Sequence, residues 1–214
     1  MVAKEVILEA PERFSKPHEI SKQKLEKAIE AAADKLEARM PRFISDFPGT
    51  CSVNYKYTQN PNKNWECGMH TGTYWLAYEL TGNPKFRKAA EEQLLTFQKR
   101  FDEKAGLQDH DVGFVYTPSC VAGYKITGDE KLRKLALDVA EYFYDLSYSK
   151  EGGYVLRMVG EKDTEAGCRT MMDTLMNVPL FFWAGKETGD QKYTEAAISQ
   201  NKITEKCLIR EDAS

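Results

Sequence analysis

The chain has 214 residues, 42% hydrophobic and 29% charged, with 30 Lys plus Arg against 33 Asp plus Glu and a formal net charge of −3. That length fits one domain, at most two, and the evenly mixed charge excludes a polybasic nucleic-acid or membrane-surface binder. Ordinary numbers of Gly (14) and Pro (8) exclude a fibrous or disordered chain, no run approaches the roughly eighteen apolar residues of a membrane span, and a start of Met1-Val2-Ala3-Lys4-Glu5 without a leader pattern gives the cytoplasm as the expected compartment.

Residues 1–20 read as an N-terminal arm, and residues 21–214 as one helical domain. From Ser21, an N-cap, Leu25, Ile29, Ala32, Leu36 and Met40 recur at helical spacing, and Pro41 stands where the pattern stops. Asp46 to Asn64 is rich in Asn, Lys, Pro and Thr and reads as an irregular loop. Beyond Trp65 the chain repeats one grammar three times, around Thr81-Gly82-Asn83, Thr127-Gly128-Asp129 and Thr188-Gly189-Asp190. Each triplet can end one helix at a left-handed Gly and cap the next with Asn or Asp, giving an antiparallel helical hairpin.

The leading helices, Met69–Leu80, Phe114–Ile126 and Leu175–Trp183, are apolar most of the way round. The trailing ones, such as Lys85–Phe101 and Lys131–Leu146, carry a Lys/Glu/Arg face. Inner helix followed by outer helix describes either a layered α/α ring or a solenoid. The triplets lie 46 and 61 residues apart, and such unequal units favour a toroid with functional insertions over a strictly periodic array. Gly152 to Val159 reads as a short β hairpin before the third inner helix.

Counting back from each triplet, Trp65, Asp111 and Asp173 fall near the beginnings of inner helices. In a ring those beginnings converge at one end of the cavity, and an indole with two carboxylates suits a sugar site: the aromatic face stacks on a pyranose, and carboxylates bind hydroxyls or move protons. Each has a plainer reading. Asp111 and Asp173 could be helix caps, Trp65 core, and His110 a structural histidine. Tyr74, Trp75 and Tyr78 read as core. The five cysteines and three histidines form no metal-ligand spacing, and the thiols read as small buried groups; no metal site is expected.

At these residues the sequence resembles the unsaturated glucuronyl hydrolases, glycoside hydrolase family 88. The stretches that carry the resemblance are Trp65, then Thr73-Tyr74-Trp75-Leu76-Ala77-Tyr78-Glu79, His110-Asp111-Val112-Gly113-Phe114 with Thr117-Pro118-Ser119, and Arg169 through Asn177 with Thr188-Gly189-Asp190. The resemblance implies an all-α fold, the (α/α)6 toroid. It also implies removal of a 4,5-unsaturated uronic acid from the non-reducing end of lyase-generated glycosaminoglycan oligosaccharides. On the matching positions Asp173 is the general acid/base and Asp111 the second essential aspartate, while His110 and Trp65 line the sugar pocket. No cofactor, nucleic acid or membrane partner is implied. Asp173 would have to start protonated near neutral pH, through burial or the charge of Asp111.

Against the six hairpins of the toroid, only three can be counted here, about seven helices, so the chain corresponds to its first half. Such a half-ring is expected to expose apolar inner helices, to be covered by a second copy or by a further C-terminal segment. The competing reading is a non-catalytic helical-hairpin module, carbohydrate-binding or scaffold, or an inactive piece of the enzyme.

Overall fold

The computed structural model describes residues 20–161, 164, 165 and 167–210. The arm expected over residues 1–20 lies, Ile20 apart, outside these. Helix α1 (Lys22–Phe43) is capped as expected, the Ser21 hydroxyl accepting from the Lys24 N–H at 3.2 Å. Pro41 does not end it. The helix runs on to Phe43, whose side chain is buried and whose carbonyl accepts from Gln93 Nε2 at 2.7 Å. Pro41 gives up its own bond to the Glu37 carbonyl, but only two residues of helix follow it, and the tertiary anchor at Phe43 holds them.

The stretch expected as an irregular loop is instead an antiparallel hairpin, β1 (Phe47–Val53) with β2 (Lys56–Asn60). Its reversal is at Asn54 and Tyr55, both at positive φ (50° and 60°), the backbone of a tight primed turn. Phe47 roots the hairpin in the core while Val53 and Tyr55 are exposed.

Then follow α2 (Glu66–Thr81), α3 (Pro84–Asp102), α4 (Val112–Tyr116), α5 (Ala122–Thr127), α6 (Glu130–Ser147), α7 (Pro179–Thr188) and α8 (Gln191–Leu208). A π-helical turn, Thr117–Val121, joins α4 to α5, so the pair is one interrupted helix, and the described residues contain the seven expected. The second hairpin is β3 (Tyr148–Ser149) with β4 (Tyr154–Val155). Only β4 falls within the expected segment; further along, Met158 pairs with Asp109. The third inner helix also differs from expectation. A 3-10 turn, Met172–Met176, precedes α7, which opens on Pro179 at its first position.

The three triplets are built alike. Gly82, Gly128 and Gly189 are left-handed (φ 68°, 72° and 76°), and Asn83, Asp129 and Asp190 accept from the N–H of Lys85, Lys131 and Lys192. The threonine adds what its side chain alone can: Thr81, Thr127 and Thr188 donate to the carbonyl four residues back and accept from the cap residue's own N–H. One hydroxyl thus serves the end of one helix and the start of the next, where backbone groups otherwise go unpaired.

The inner helices α2, α4–α5 and α7 pack against one another, and α3, α6 and α8 lie outside them, as in an α/α barrel. Tyr74 and Trp75 are core, Trp75 Nε1 donating to the Ser119 carbonyl at 3.1 Å. Phe143 of α6 stacks on Phe181 of α7 with centroids 5.0 Å apart. Each fully buried aromatic of this kind contributes on the order of 2–3 kcal/mol.

Two glycines set how closely the inner helices approach. A Cβ on Gly68 would overlap the carbonyls of Phe114 and Val115, and one on Gly113 would overlap the backbone of Asn177. Backbone therefore rests on backbone, α2 on α4 and α4 on the segment leading into α7. Apolar side chains are nevertheless left in solvent at Leu76, Leu80, Met176 and Phe182. Of the cysteines, Cys67 and Cys120 are buried as expected, whereas Cys51, Cys168 and Cys207 are exposed. No helix among the described residues is long and apolar enough to cross a membrane.

Candidate active site

Trp65 is the residue before α2, Asp111 the residue before α4, and Asp173 lies in the 3-10 turn before α7. All three stand where inner helices begin, and the Gly68 and Gly113 contacts draw those beginnings together. Neither carboxylate caps a helix. The Asp111 N–H itself is bonded to Asp109 Oδ1 at 3.0 Å, which fixes the turn that presents the Asp111 side chain.

His110 joins the two carboxylates. Its Nε2 lies 2.9 Å from Asp173 Oδ1 and 3.5 Å from Asp111 Oδ1, and its Nδ1 lies 3.3 Å from the Arg157 carbonyl oxygen. The imidazole is buried and Asp111 nearly so, whereas the Asp173 side chain is 49% exposed. Burial, then the charge of Asp109, pushes the Asp111 carboxyl up to about 6, against the pull of His110. A carboxyl in that range exchanges its proton near neutral pH.

Asp111 and Trp65 line one cleft of about 370 Å³, with Thr50, Lys63, Asn64, Glu66, Gly106 and Asp109. Trp65 is not core: it is 41% exposed, its ring set against Phe114 with centroids 5.6 Å apart. His110 and Asp173 do not line that cleft; they connect to it through Asp111. The same three side chains, His110, Asp111 and Asp173, bring ligand atoms within 4.8 Å of one another and could hold a divalent cation.

The Glycosyl Hydrolase Family 88 profile matches residues 39–213. The chain belongs to glycoside hydrolase family 88. Among curated proteins it is 35% identical over 207 residues to the unsaturated chondroitin disaccharide hydrolase of Streptococcus pneumoniae, covering 97% of this chain and 52% of that protein. To the unsaturated glucuronyl hydrolase of Bacillus sp. (strain GL1) it is 34% identical over 175 residues, 82% of this chain and 46% of that protein. Among solved structures, unsaturated glucuronyl hydrolase from Streptococcus agalactiae superposes with a TM-score of 0.91 at 32% identity, covering 99% of this chain and 53% of that one. A mutant of it complexed with dGlcA-GalNAc6S superposes with a TM-score of 0.81 at 29% identity, over 100% of this chain and 52% of that one. The chain thus spans about half the length of the family 88 proteins it matches.

Three further residues of this family 88 chain shape the site and had no site role assigned from sequence, although Asn177 ends the Asp-x-x-x-Asn stretch that carries the resemblance. Asn177 is fully buried, its Oδ1 accepting from the Phe114 N–H at 2.8 Å and its Nδ2 donating to the Asp173 carbonyl at 3.4 Å. It thereby ties α4 to the Asp173 turn. The four-residue spacing from Asp173 was its one visible signal. Asp109 orients Asp111, and its proximity in sequence was the only hint. Arg100, 2% exposed, donates to the carbonyls of Lys63, Asn64, Ala105 and Gly106 and to Asn62 Oδ1. It pins together two loops that line the cleft. Nothing in the charged pattern of α3 set it apart.

Proposed function

We infer that this chain supplies the acid/base half of a hydrolase that removes a 4,5-unsaturated uronic acid from the non-reducing end of glycosaminoglycan oligosaccharides. The observation that carries the reading is the placement of Asp111 and Asp173 on either side of His110 Nε2, beside a cleft walled by the exposed Trp65, in a chain of family 88. Burial raises the Asp111 carboxyl, whereas the Asp173 side chain is half exposed. The burial expected to hold a proton on Asp173 thus falls on its neighbour, and what Asp173 has instead is His110 Nε2 within hydrogen-bond distance.

The substrate is an enol ether. Asp173 protonates C4, the ring oxygen stabilises the cation at C5, and water relieved of its proton by the same carboxylate adds there. The resulting hemiketal opens and releases the remaining sugar. This differs from the two-carboxylate displacement of ordinary glycosidases. Asp111 and Trp65 hold the sugar, Asp111 through the sugar's hydroxyls and Trp65 by stacking on the ring, while His110, expected to line the pocket, stands behind them between the two carboxylates. Residues 21–214 act as part of one α/α-barrel domain, working in the cytoplasm.

The exposed Leu76, Leu80, Met176 and Phe182 favour a second reading, in which the chain binds the sugar without turnover until a second copy or a further segment covers that face.

The test follows the ultraviolet absorbance of an unsaturated chondroitin disaccharide with the parent chain and with Asp173→Asn. Loss of the alkene signal with the parent alone is the expected result, the variant keeping its fold and its sugar binding. Equal turnover by the variant rejects the assignment of Asp173. Disaccharide binding without turnover by the parent selects the second reading.

A further inference from the structure

The donor and acceptor possibilities around His110 are more restrictive than its place beside the sugar site requires. A backbone carbonyl can only accept, so a hydrogen bond across the 3.3 Å contact between the Arg157 oxygen and Nδ1 places a proton on Nδ1. That leaves Nε2 to face Asp173 Oδ1 at 2.9 Å, with Asp111 Oδ1 0.6 Å farther off at 3.5 Å. An imidazole nitrogen and a carboxylate oxygen at this separation bond only when one proton lies between them; both bare would set lone pair against lone pair. Two arrangements satisfy the contact, imidazolium with carboxylate and imidazole with carboxylic acid. They differ only in which atom holds the one proton.

We propose that His110 is a positioning residue for the reactive proton, locked by the Arg157 carbonyl so that one transferable proton is held between its Nε2 and Asp173 Oδ1. The inference rests on the hydrolase reading above and deepens it. Asp173 is half exposed, so the proton it delivers is held by the contact with Nε2 rather than by burial. In turnover the proton passes from Asp173 Oδ1 to C4, where the C4=C5 electron pair forms the new C–H bond and leaves the cation at C5. Water adds its oxygen to C5 and returns its proton to Asp173, which restores the same contact. Arg157 enters through its backbone, and the loop that carries it is tied in place by the Arg157 N–H, which donates to the carbonyls of Gly167 and Arg169. The groups facing the imidazole are Asp173 and Asp111 on one nitrogen and this carbonyl on the other, with Asp109 behind Asp111.

The experiment is nitrogen NMR of the full chain labelled in its three histidines, with His110 assigned by comparison with His110→Gln. At neutral pH the expected spectrum has Nδ1 protonated and Nε2 displaced from the position of a bare imidazole nitrogen. In Asp173→Asn and Asp173→Ala, Nδ1 stays protonated and Nε2 moves to the bare position, since neither side chain can transfer a proton. A bare Nδ1, or an Nε2 signal unchanged in both variants, overturns the proposal.

Kinetics with the unsaturated disaccharide form the second arm. His110→Gln is expected to lower kcat on the order of a hundredfold with little change in KM, the size of a general acid–base contribution. A raised KM at unchanged kcat would make His110 a pocket wall and overturn the proposal. Should the parent show the expected spectrum yet never consume the alkene, the hydrolase reading itself fails, and delivery of the proton to C4 falls with it.

Discussion

Gly113→Ala tests whether backbone contact sets the geometry of the site. A Cβ at this position would lie 2.7 Å from the Asn177 carbonyl carbon, and closer still to its oxygen and Cα, where ordinary contact begins at 3.4 Å. The start of α4 and the turn before α7 must therefore part by at least about 0.7 Å, because neither neighbour is a side chain that can swing aside. Overpacking of this kind costs about 1–3 kcal/mol. The same movement stretches the bond from the Phe114 N–H to Asn177 Oδ1, now 2.8 Å, and leaving that buried donor unpaired adds about 1–3 kcal/mol. For a chain of this length each kcal/mol lowers Tm by roughly 2–4 °C, so a fall of at least about 4 °C is expected by circular dichroism. Where the parent turns over substrate, a displacement approaching 1 Å between Asp111 and Asp173 should cost up to about a hundredfold in kcat/KM. Gly82→Ala is the control: its φ of 68° makes alanine strained too, but a Cβ there meets nothing within 4 Å, so stability falls without disturbing the site. A Gly113→Ala chain that melts with the parent would refute the argument.

Two further predictions concern groups inside the site. The Asp111 carboxyl, raised to about 6 mainly by burial, binds its proton more readily in the folded than in the unfolded chain, so folding loses stability as pH climbs from about 4 through 6. Asp111→Asn removes that penalty, and urea midpoints should match the parent near pH 4 and correspond to a gain of about 1–3 kcal/mol at pH 8; a gain largest in acid would have the sign wrong. Arg100 serves five acceptors in the core with no carboxylate among its hydrogen-bond partners, so Arg100→Met strands four carbonyls and should cost about 3 kcal/mol or more. Arg100→Lys should recover only part of that, and a methionine variant of parental stability would show the hub to be dispensable.

The parts of the fold legible in the sequence were those decided within a few residues. Thr81-Gly82-Asn83 and its two counterparts carry their own hydrogen-bond partners, so spelling and structure coincide. Trp65, Asp111 and Asp173 were legible because counting from those turns locates helix beginnings.

What failed was decided at a distance. Pro41 reads as a stop until Gln93, fifty residues on, holds the Phe43 carbonyl. The β1–β2 hairpin has a burial pattern confined to its first residues, Phe47 and Gly49, so no alternation along the strands announces it. The third inner helix was expected to begin at Leu175, but Asn177 is engaged by Phe114 of α4, and regular helix starts only at Pro179. The imidazole of His110 shows the limit most clearly. Its neighbours are Asp173 and Arg157, 63 and 47 residues away, and no local pattern states which of its nitrogens carries a proton.

The three tight turns all lie where inner helices end, so the long connections emerge at the opposite end, where 44–65 and 103–111 supply most of the cleft lining and the turn before α7 carries Asp173. Insertions and substitutions there leave the Thr-Gly-Asx caps untouched. A lineage built on this plan can reshape the cleft by lengthening or respelling one end, while the other keeps the helices in step. Selection on ligand choice and selection on foldability then act on separate stretches of the gene, with the core between them as insulation.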